Sequence, residues 1–261
     1  MNTGDTAFMM ICSALVFFMT PGLAFFYGGL VRRKNVVNTM MACVSIMGLA
    51  VVMWVAFGYS LAFGGNYGGI IGDFRWAFLH GINMSEAGPY ADSIPHLVYI
   101  AFQMMFAIIT PALITGSLVG RMKFKALFFF IALWSVVVYY PLAHMVWGKG
   151  GLLATIGSVD FAGGNVVHIS SGITALTLAI LLGRRKGYNK VAYRVHNIPF
   201  VVLGVVSLKR LLNQSNLKSW SSKMIKKSLE AYFFTLKNKI VFCKKQFQNM
   251  SVFCFVSTEI V

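Results

Sequence analysis

The chain has 261 residues, 57% of them hydrophobic and only 11% charged, with a mean hydropathy of +0.71; soluble domains carry about one-quarter charged residues, so this composition excludes one and demands lipid as solvent. The formal net charge of +16 would suit phosphate neutralisation if its Lys and Arg formed a patch. Up to Gly204 they fall instead in short runs between apolar segments, which excludes a nucleic-acid-binding domain and reads as an orientation signal.

Residues 1–6 carry Asp5 and no Lys or Arg, so they lack the basic leader of a cleaved signal peptide, and the first apolar run is expected to stay. Five runs can cross about 30 Å of hydrocarbon at about 1.5 Å per residue: residues 7–30, 36–63, 96–119, 126–147 and 163–182. A sixth apolar start, 198–206, gives way to Leu208, Lys209 and Arg210 and is too brief to span. The predicted fold class is therefore an all-α integral membrane bundle of five helices, with residues 1–204 as the membrane domain and 205–261 as a separate tail.

Lys and Arg gather in the loops 31–35, 120–125 and 183–194, with Arg75 and Lys149 as the exceptions before Gly204. Short basic loops stay cytoplasmic, so the N-terminus and the loop 64–95, with Asp73, Glu86 and Asp92, are predicted to face outward. Gly22, Gly28, Gly29, Gly116, Gly120, Gly163, Gly164 and Gly172 are small enough to let membrane helices approach closely. Pro21, Pro111 and Pro141 each free a carbonyl and invite a kink. Cys12, Cys43, Cys243 and Cys254 are scattered without a CxxC pair or metal-like spacing, which implies neither a disulfide framework nor a metal site.

Ionisable side chains at membrane depth are costly, so each is a candidate for function with a structural alternative beside it. Asp160 lies just before the fifth helix, where a carboxylate can cap free N–H groups and meet the positive end of the helix dipole. His168 follows about two turns deeper. Its imidazole can take or give a proton in an apolar channel; the alternative is a buried histidine satisfied by a carbonyl or hydroxyl. His144, near the outer end of the fourth run, is expected to be satisfied by water and headgroups in a packing or interface role. Trp147, Tyr139 and Tyr140 read by default as aromatic-belt residues, although aromatic faces also attract small cations. Phe102 and Phe106 form an i, i+4 pair on one face of the third helix, either as core packing or as a pore gate. No second acid or base is spaced to work with His168, and no nucleophile elbow or metal-ligand pattern is present, so neither an enzyme nor a cofactor is indicated.

Four stretches resemble the ammonium transporter family, the Amt/Mep/Rh proteins. They are Met19-Thr-Pro-Gly-Leu-Ala-Phe-Phe-Tyr-Gly-Gly-Leu-Val-Arg-Arg-Lys-Asn35, Phe102-Gln-Met-Met-Phe106-Ala-Ile-Ile-Thr-Pro-Ala-Leu-Ile, His144-Met-Val-Trp-Gly148 and Asp160-Phe-Ala-Gly-Gly-Asn-Val-Val-His168. They run in family order through about Gly204. The resemblance implies a homotrimer of independent pores in a plasma membrane, the inner membrane of a bacterium. Each pore is built from two inverted five-helix halves plus a final helix, and this chain corresponds to the first half. By motif, Phe102 and Trp147 would form part of an outer ammonium site organised by Asp160, Phe106 one of two stacked gate phenylalanines, and His168 one of two facing pore histidines. The cation would be recruited outside by cation–π contact and hydrogen bonding, lose its proton, and pass as ammonia along the apolar pore. The implied partners are ammonium or ammonia, the lipid bilayer and a PII-type regulator that contacts the inner loops and C-terminal tail.

After Ile198-Pro-Phe-Val-Val-Leu-Gly204 the family pattern would continue through a sixth helix and a second half carrying the second gate phenylalanine, an outer-site serine and the second histidine. The tail holds no histidine and no further run of about twenty apolar residues, and it does not match the regulator-binding tail. It carries ten basic residues against Glu230 and Glu259, with much Lys, Asn, Ser and Phe. A/T-rich codons read in the wrong frame give this mix, so a frameshifted or truncated, impaired chain is expected; a basic amphipathic segment on the inner leaflet is the competing reading. A non-conducting membrane remnant or membrane-bound interaction protein is the alternative to transport.

Overall fold

The computed structural model describes residues 1–83, 85–160, 163–183 and 195–213. The basic stretch 184–194, the tail from residue 214, and with it Cys243 and Cys254, lie outside the described residues. In chain order the helices are α1 (Thr3–Leu30), α2 (Val36–Met53), α3 (Tyr59–Phe63), α4 (His96–Leu118), α5 (Phe124–Trp134), α6 (Tyr140–Trp147), α7 (Leu152–Thr155), α8 (Ser170–Leu181) and α9 (Ile198–Asn213). Five helical spans among the described residues are long and apolar enough to cross a membrane: Thr3–Leu30, Arg33–Phe63, His96–Leu118, Phe124–Thr155 and Gly164–Leu181. These are the five runs predicted from the sequence. Helix α1 starts four residues earlier than the apolar run because Asn2 caps it: the side-chain oxygen accepts from Gly4 N–H at 2.8 Å and Asp5 N–H at 3.4 Å.

Three of the spans are not continuous α-helix. A π-helical turn, Trp54–Gly58, joins α2 to α3, and another, Ser135–Tyr139, joins α5 to α6. In each, the closing N–H reaches five residues back, Tyr59 to Trp54 O and Tyr140 to Ser135 O. Such turns insert a residue into the helical ladder and recur at functional sites. A third, Gly164–Ile169, opens the span that continues into α8.

The helical expectation holds for the spans, and among the described residues strands occur in the loop 64–95. Strands β1 (Asn66–Tyr67) and β2 (Ile71–Gly72) pair antiparallel, as do β3 (Ala87–Gly88) and β4 (Ala91–Pro95). A loop folded over a bundle end must still pair its backbone groups, and these short ladders do so. Asp73 fastens the first hairpin: Oδ1 accepts from Gly65 N–H at 2.9 Å, and Arg75 Nε donates to Oδ2 at 2.9 Å. Beneath the loop sits an aromatic core in which Tyr59 stacks on Phe63 and Trp76 at 5.5 and 5.6 Å. The Tyr59 hydroxyl is hydrogen-bonded to His96 Nε2.

Helix α4 packs against α1, α2 and α8, and α9 lies along α1. Glycine makes the α1–α9 approach possible. A Cβ on Gly204 would lie 2.6 Å from Phe26 N, and one on Gly29 would lie 2.7 Å from Asn197 O and Val201 N. Overpacking of this kind costs about 1–3 kcal/mol. Gly204→Val is therefore expected to lower the thermal unfolding midpoint in detergent micelles, whereas Gly48→Ala, at a position with nothing within 4 Å, is expected to leave it unchanged or raise it.

Partial burial pushes the Asp73 carboxyl up, but the N–H bonds from Gly65 and Arg75 and the Arg75 guanidinium outweigh it and hold the group below its ordinary value. A depressed pKa stabilises the hairpin above the ordinary carboxylate range, and that contribution is lost as the pH falls through the folded value. Amide hydrogen exchange at Gly65 is expected to lose protection below about pH 4; in Asp73→Asn it should already be fast at neutral pH.

Candidate functional site

Asp160 sits just ahead of the fifth span, where its helix begins. Gly164 N–H donates to Oδ1 at 2.6 Å, and Asn165 and Val166 N–H donate to Oδ2 at 2.8 and 3.0 Å. Three of the backbone donors that any helix start leaves open are thus met by one carboxylate. The preceding Gly163 has φ +79°, and a Cβ there would lie 2.7 Å from Val167 Cγ2, so both conformation and space require glycine. The cap predicted from the sequence is present, and it reaches further than a single N–H.

The carbonyl of the same residue positions an indole. Trp147 Nε1 donates to Asp160 O at 2.8 Å, which joins the end of α6 to the start of the Gly164–Ile169 turn. From Trp147 a row of rings continues onto α4: Phe106 meets Trp147 at 6.1 Å between centroids, and Phe102 meets Phe106 edge to face at 5.1 Å. Each such pair contributes about 0.5–1.5 kcal/mol beyond its buried area. The structure therefore brings Phe102, Phe106, Trp147 and Asp160 into one connected set. All four are half-buried, as a surface that both packs and remains reachable has to be.

His168 lies on the segment that Asp160 pins. Its backbone N–H donates to Gly163 O at 3.0 Å within the π-helical turn, and it is half-buried. The turn is anchored laterally too, since Trp134 Nε1 donates to Thr174 Oγ1 at 3.0 Å across from α5 to α8. The set can do two things chemically. Quadrupolar aromatic faces attract a small cation, and an imidazole on a rigid segment can exchange a proton.

Three expectations are corrected. His144 is not at a wet interface: it is 0% exposed, with Nδ1 3.0 Å from Ala62 O and Nε2 3.3 Å from Asn66 Oδ1, because the hairpin β1–β2 folds over the end of α6. Tyr139 and Tyr140 are not belt residues either; each is 1% exposed. The Tyr140 ring packs at 6.1 Å against both Trp54 and Phe57, and Tyr139 against Trp134 at 6.3 Å. Asn66 went unremarked in the sequence. Its setting, Gly64-Gly65-Asn66-Tyr67-Gly68-Gly69, is a turn signal, but nothing local announces a partner on α6.

The chain matches the Ammonium Transporter Family over residues 7–210. It is 50% identical over 205 residues to an ammonium transporter of Bacillus subtilis, covering 78% of this chain and 49% of the relative. To an ammonium transporter of Aquifex aeolicus it is 48% identical over 209 residues, covering 78% and 47%. The crystal structure of Saccharomyces cerevisiae Mep2 superposes with a TM-score of 0.71 at 29% identity, over 90% of this chain and 53% of that one. Candida albicans Mep2 gives a TM-score of 0.73 at 26% identity, over 92% and 52%. The chain spans about half the length of the curated relatives it matches.

Asp160→Ala leaves three part-buried N–H donors without their acceptor and is expected to destabilise the protein by about 2–3 kcal/mol. Thermal unfolding in detergent, followed by tryptophan fluorescence, measures it. Asp160→Asn keeps an acceptor oxygen and is expected to lose about half as much.

Proposed function

The chain belongs to the ammonium transporter family, and from that premise we propose that it takes part in moving ammonium or ammonia across a plasma membrane. The observation that carries the reading is the connected set Phe102–Phe106–Trp147 with Asp160 behind the indole and His168 on the segment Asp160 pins. The rings form a wall against which an ammonium ion is recruited by cation–π attraction. Asp160 holds that wall in place through the Trp147 indole, with its carboxylate committed to the three helix N–H groups and its carbonyl to Nε1. The cation returns its proton to water on the outer side as it leaves the aromatic wall for Phe106, which acts as a gate, and neutral ammonia crosses the apolar interior alongside His168.

The loop 64–95 and the N-terminus face outward in this reading, which rests on the basic residues of the loops 31–35 and 120–125. A pore wall with polar side chains at membrane depth needs a facing wall to exclude lipid. The relatives are about twice as long as the matched region, which favours a facing wall supplied by a second, inverted half. A homotrimer follows from the resemblance alone, whereas the mismatch of the tail speaks against a PII-type regulator. The alternative reading is a non-conducting membrane protein.

Uptake of labelled methylammonium by cells expressing this chain, an empty control, His168→Ala and Phe106→Ala tests the reading. Uptake above the control that falls about tenfold in His168→Ala, ~1.4 kcal/mol of barrier, and rises or loses selectivity in Phe106→Ala is the expected result. Uptake no higher than the control ends the transport reading for this chain and leaves the non-conducting one.

A further inference from the structure

Both ring nitrogens of the buried His144 face an oxygen: Nδ1 the Ala62 carbonyl at 3.0 Å and Nε2 the Asn66 Oδ1 at 3.3 Å. Two other hydrogen bonds decide which end of the Asn66 amide meets the ring. Gly69 N–H donates to Oδ1 at 2.7 Å, and Nδ2 donates to Gly150 O at 2.9 Å. Turning the amide over would set its NH2 against an N–H and its oxygen against a carbonyl, so both bonds would be lost. A neutral imidazole has one N–H and one lone pair and can satisfy only one of its two oxygens. An imidazolium satisfies both.

The arrangement lies at a joint. Ala62 is on α3, Asn66 opens β1, and Gly150 belongs to the loop between α6 and α7, whose Leu152 N–H donates to Gly69 O at 2.8 Å. His144 is one turn before Trp147 on α6, and a Cβ on Gly148 would lie 2.7 Å from Nδ1, so backbone roofs the ring. The charged groups nearby are Asp73 after β2, already paired with Arg75, and Lys149, whose ammonium lies 5.7 Å over the Tyr90 ring. The elements packed on α6 add Tyr59 from α3, Tyr139 from the Ser135–Tyr139 turn and His168 from the Gly164–Ile169 turn. Burial opposes a second proton on the ring, and the two fixed oxygens favour it.

We propose that His144 is a proton-binding site: on acidification its ring takes a proton from water, donates from Nε2 to Asn66 Oδ1, and locks the β1–β2 hairpin onto the helix end that carries Trp147. His144 touches no substrate in this role; it is a positioning residue for the indole. Its effect on transport rests on the reading above, but proton binding itself does not.

The test is nitrogen-15 NMR of the full chain, histidine-labelled, in lipid nanodiscs, with His144 assigned by its loss in His144→Gln. As the pH is lowered from about 8 to about 4 the ring is expected to pass from one N–H to two. Asn66→Leu should weaken proton binding about tenfold, a midpoint about one pH unit lower. Asn66→Asp, which keeps an oxygen and adds a charge, should raise the midpoint and carries the test by itself if the leucine variant loosens the hairpin. A ring that stays singly protonated throughout, or a midpoint indifferent to Asn66→Asp, overturns the proposal. A chain that titrates as described but takes up no methylammonium overturns only the transport reading; one that transports while His144 stays silent overturns only this one.

Discussion

The first turn of a helix leaves backbone N–H groups without partners inside the helix, and at the start of the fifth span the Asp160 carboxylate meets that constraint. Its three acceptor contacts fix where the Gly164–Ile169 turn starts. Through its own carbonyl it also fixes the azimuth of the Trp147 indole, and through the indole the row of rings that ends at Phe102. The polar cap and the apolar wall are one mechanical unit. A substitution at Asp160 therefore acts on recognition and on folding together, and the two effects separate only when stability and uptake are measured side by side.

Much of the architecture could be read from the sequence because lipid imposes a simple rule on apolar length. The five spans follow from it, and so does the cap, since a carboxylate just ahead of an apolar helix has few other uses. What could not be read was which way side chains turn. Tyr139 and Tyr140 look like interface residues by position along their span, yet the π-helical turn 135–139 and the packing of α6 on α3 carry both into the core. His144 looked wet for the same reason. Its burial depends on a hairpin from elsewhere in the chain, and the link to Asn66 has no local signature. The four-residue site at Phe102, Phe106, Trp147 and Asp160 was legible only because motif resemblance named its members, while their ring-to-ring continuity had to be seen.

The close α1–α9 contact is a different kind of constraint. Between membrane helices lipid offers little hydrophobic gain, so association rests on contact and fit. Gly22, Gly29 and Gly204 provide it by removing side chains where backbones touch. The Asn2 cap sets the start of the helix that receives α9, and Asn2 N–H donates to Ser93 O at 2.7 Å, which ties the start of α1 to the strand leading into α4. The start of α1 is thus bound to the strand that leads into α4, the helix carrying Phe102 and Phe106.

The π-helical turn 135–139 acts as a phase shifter in the helix that carries the indole. One residue of α-helix corresponds to about 100° of rotation, so the surplus residue between Trp134 and Tyr140 sets the direction in which everything beyond it points. Deleting a single residue there would leave length and hydropathy almost untouched while swinging Trp147 away from Asp160. In this family member the aim of the indole is stored as a count of residues some two turns away, and a one-residue gap in that stretch is a more drastic change than most substitutions at the site itself.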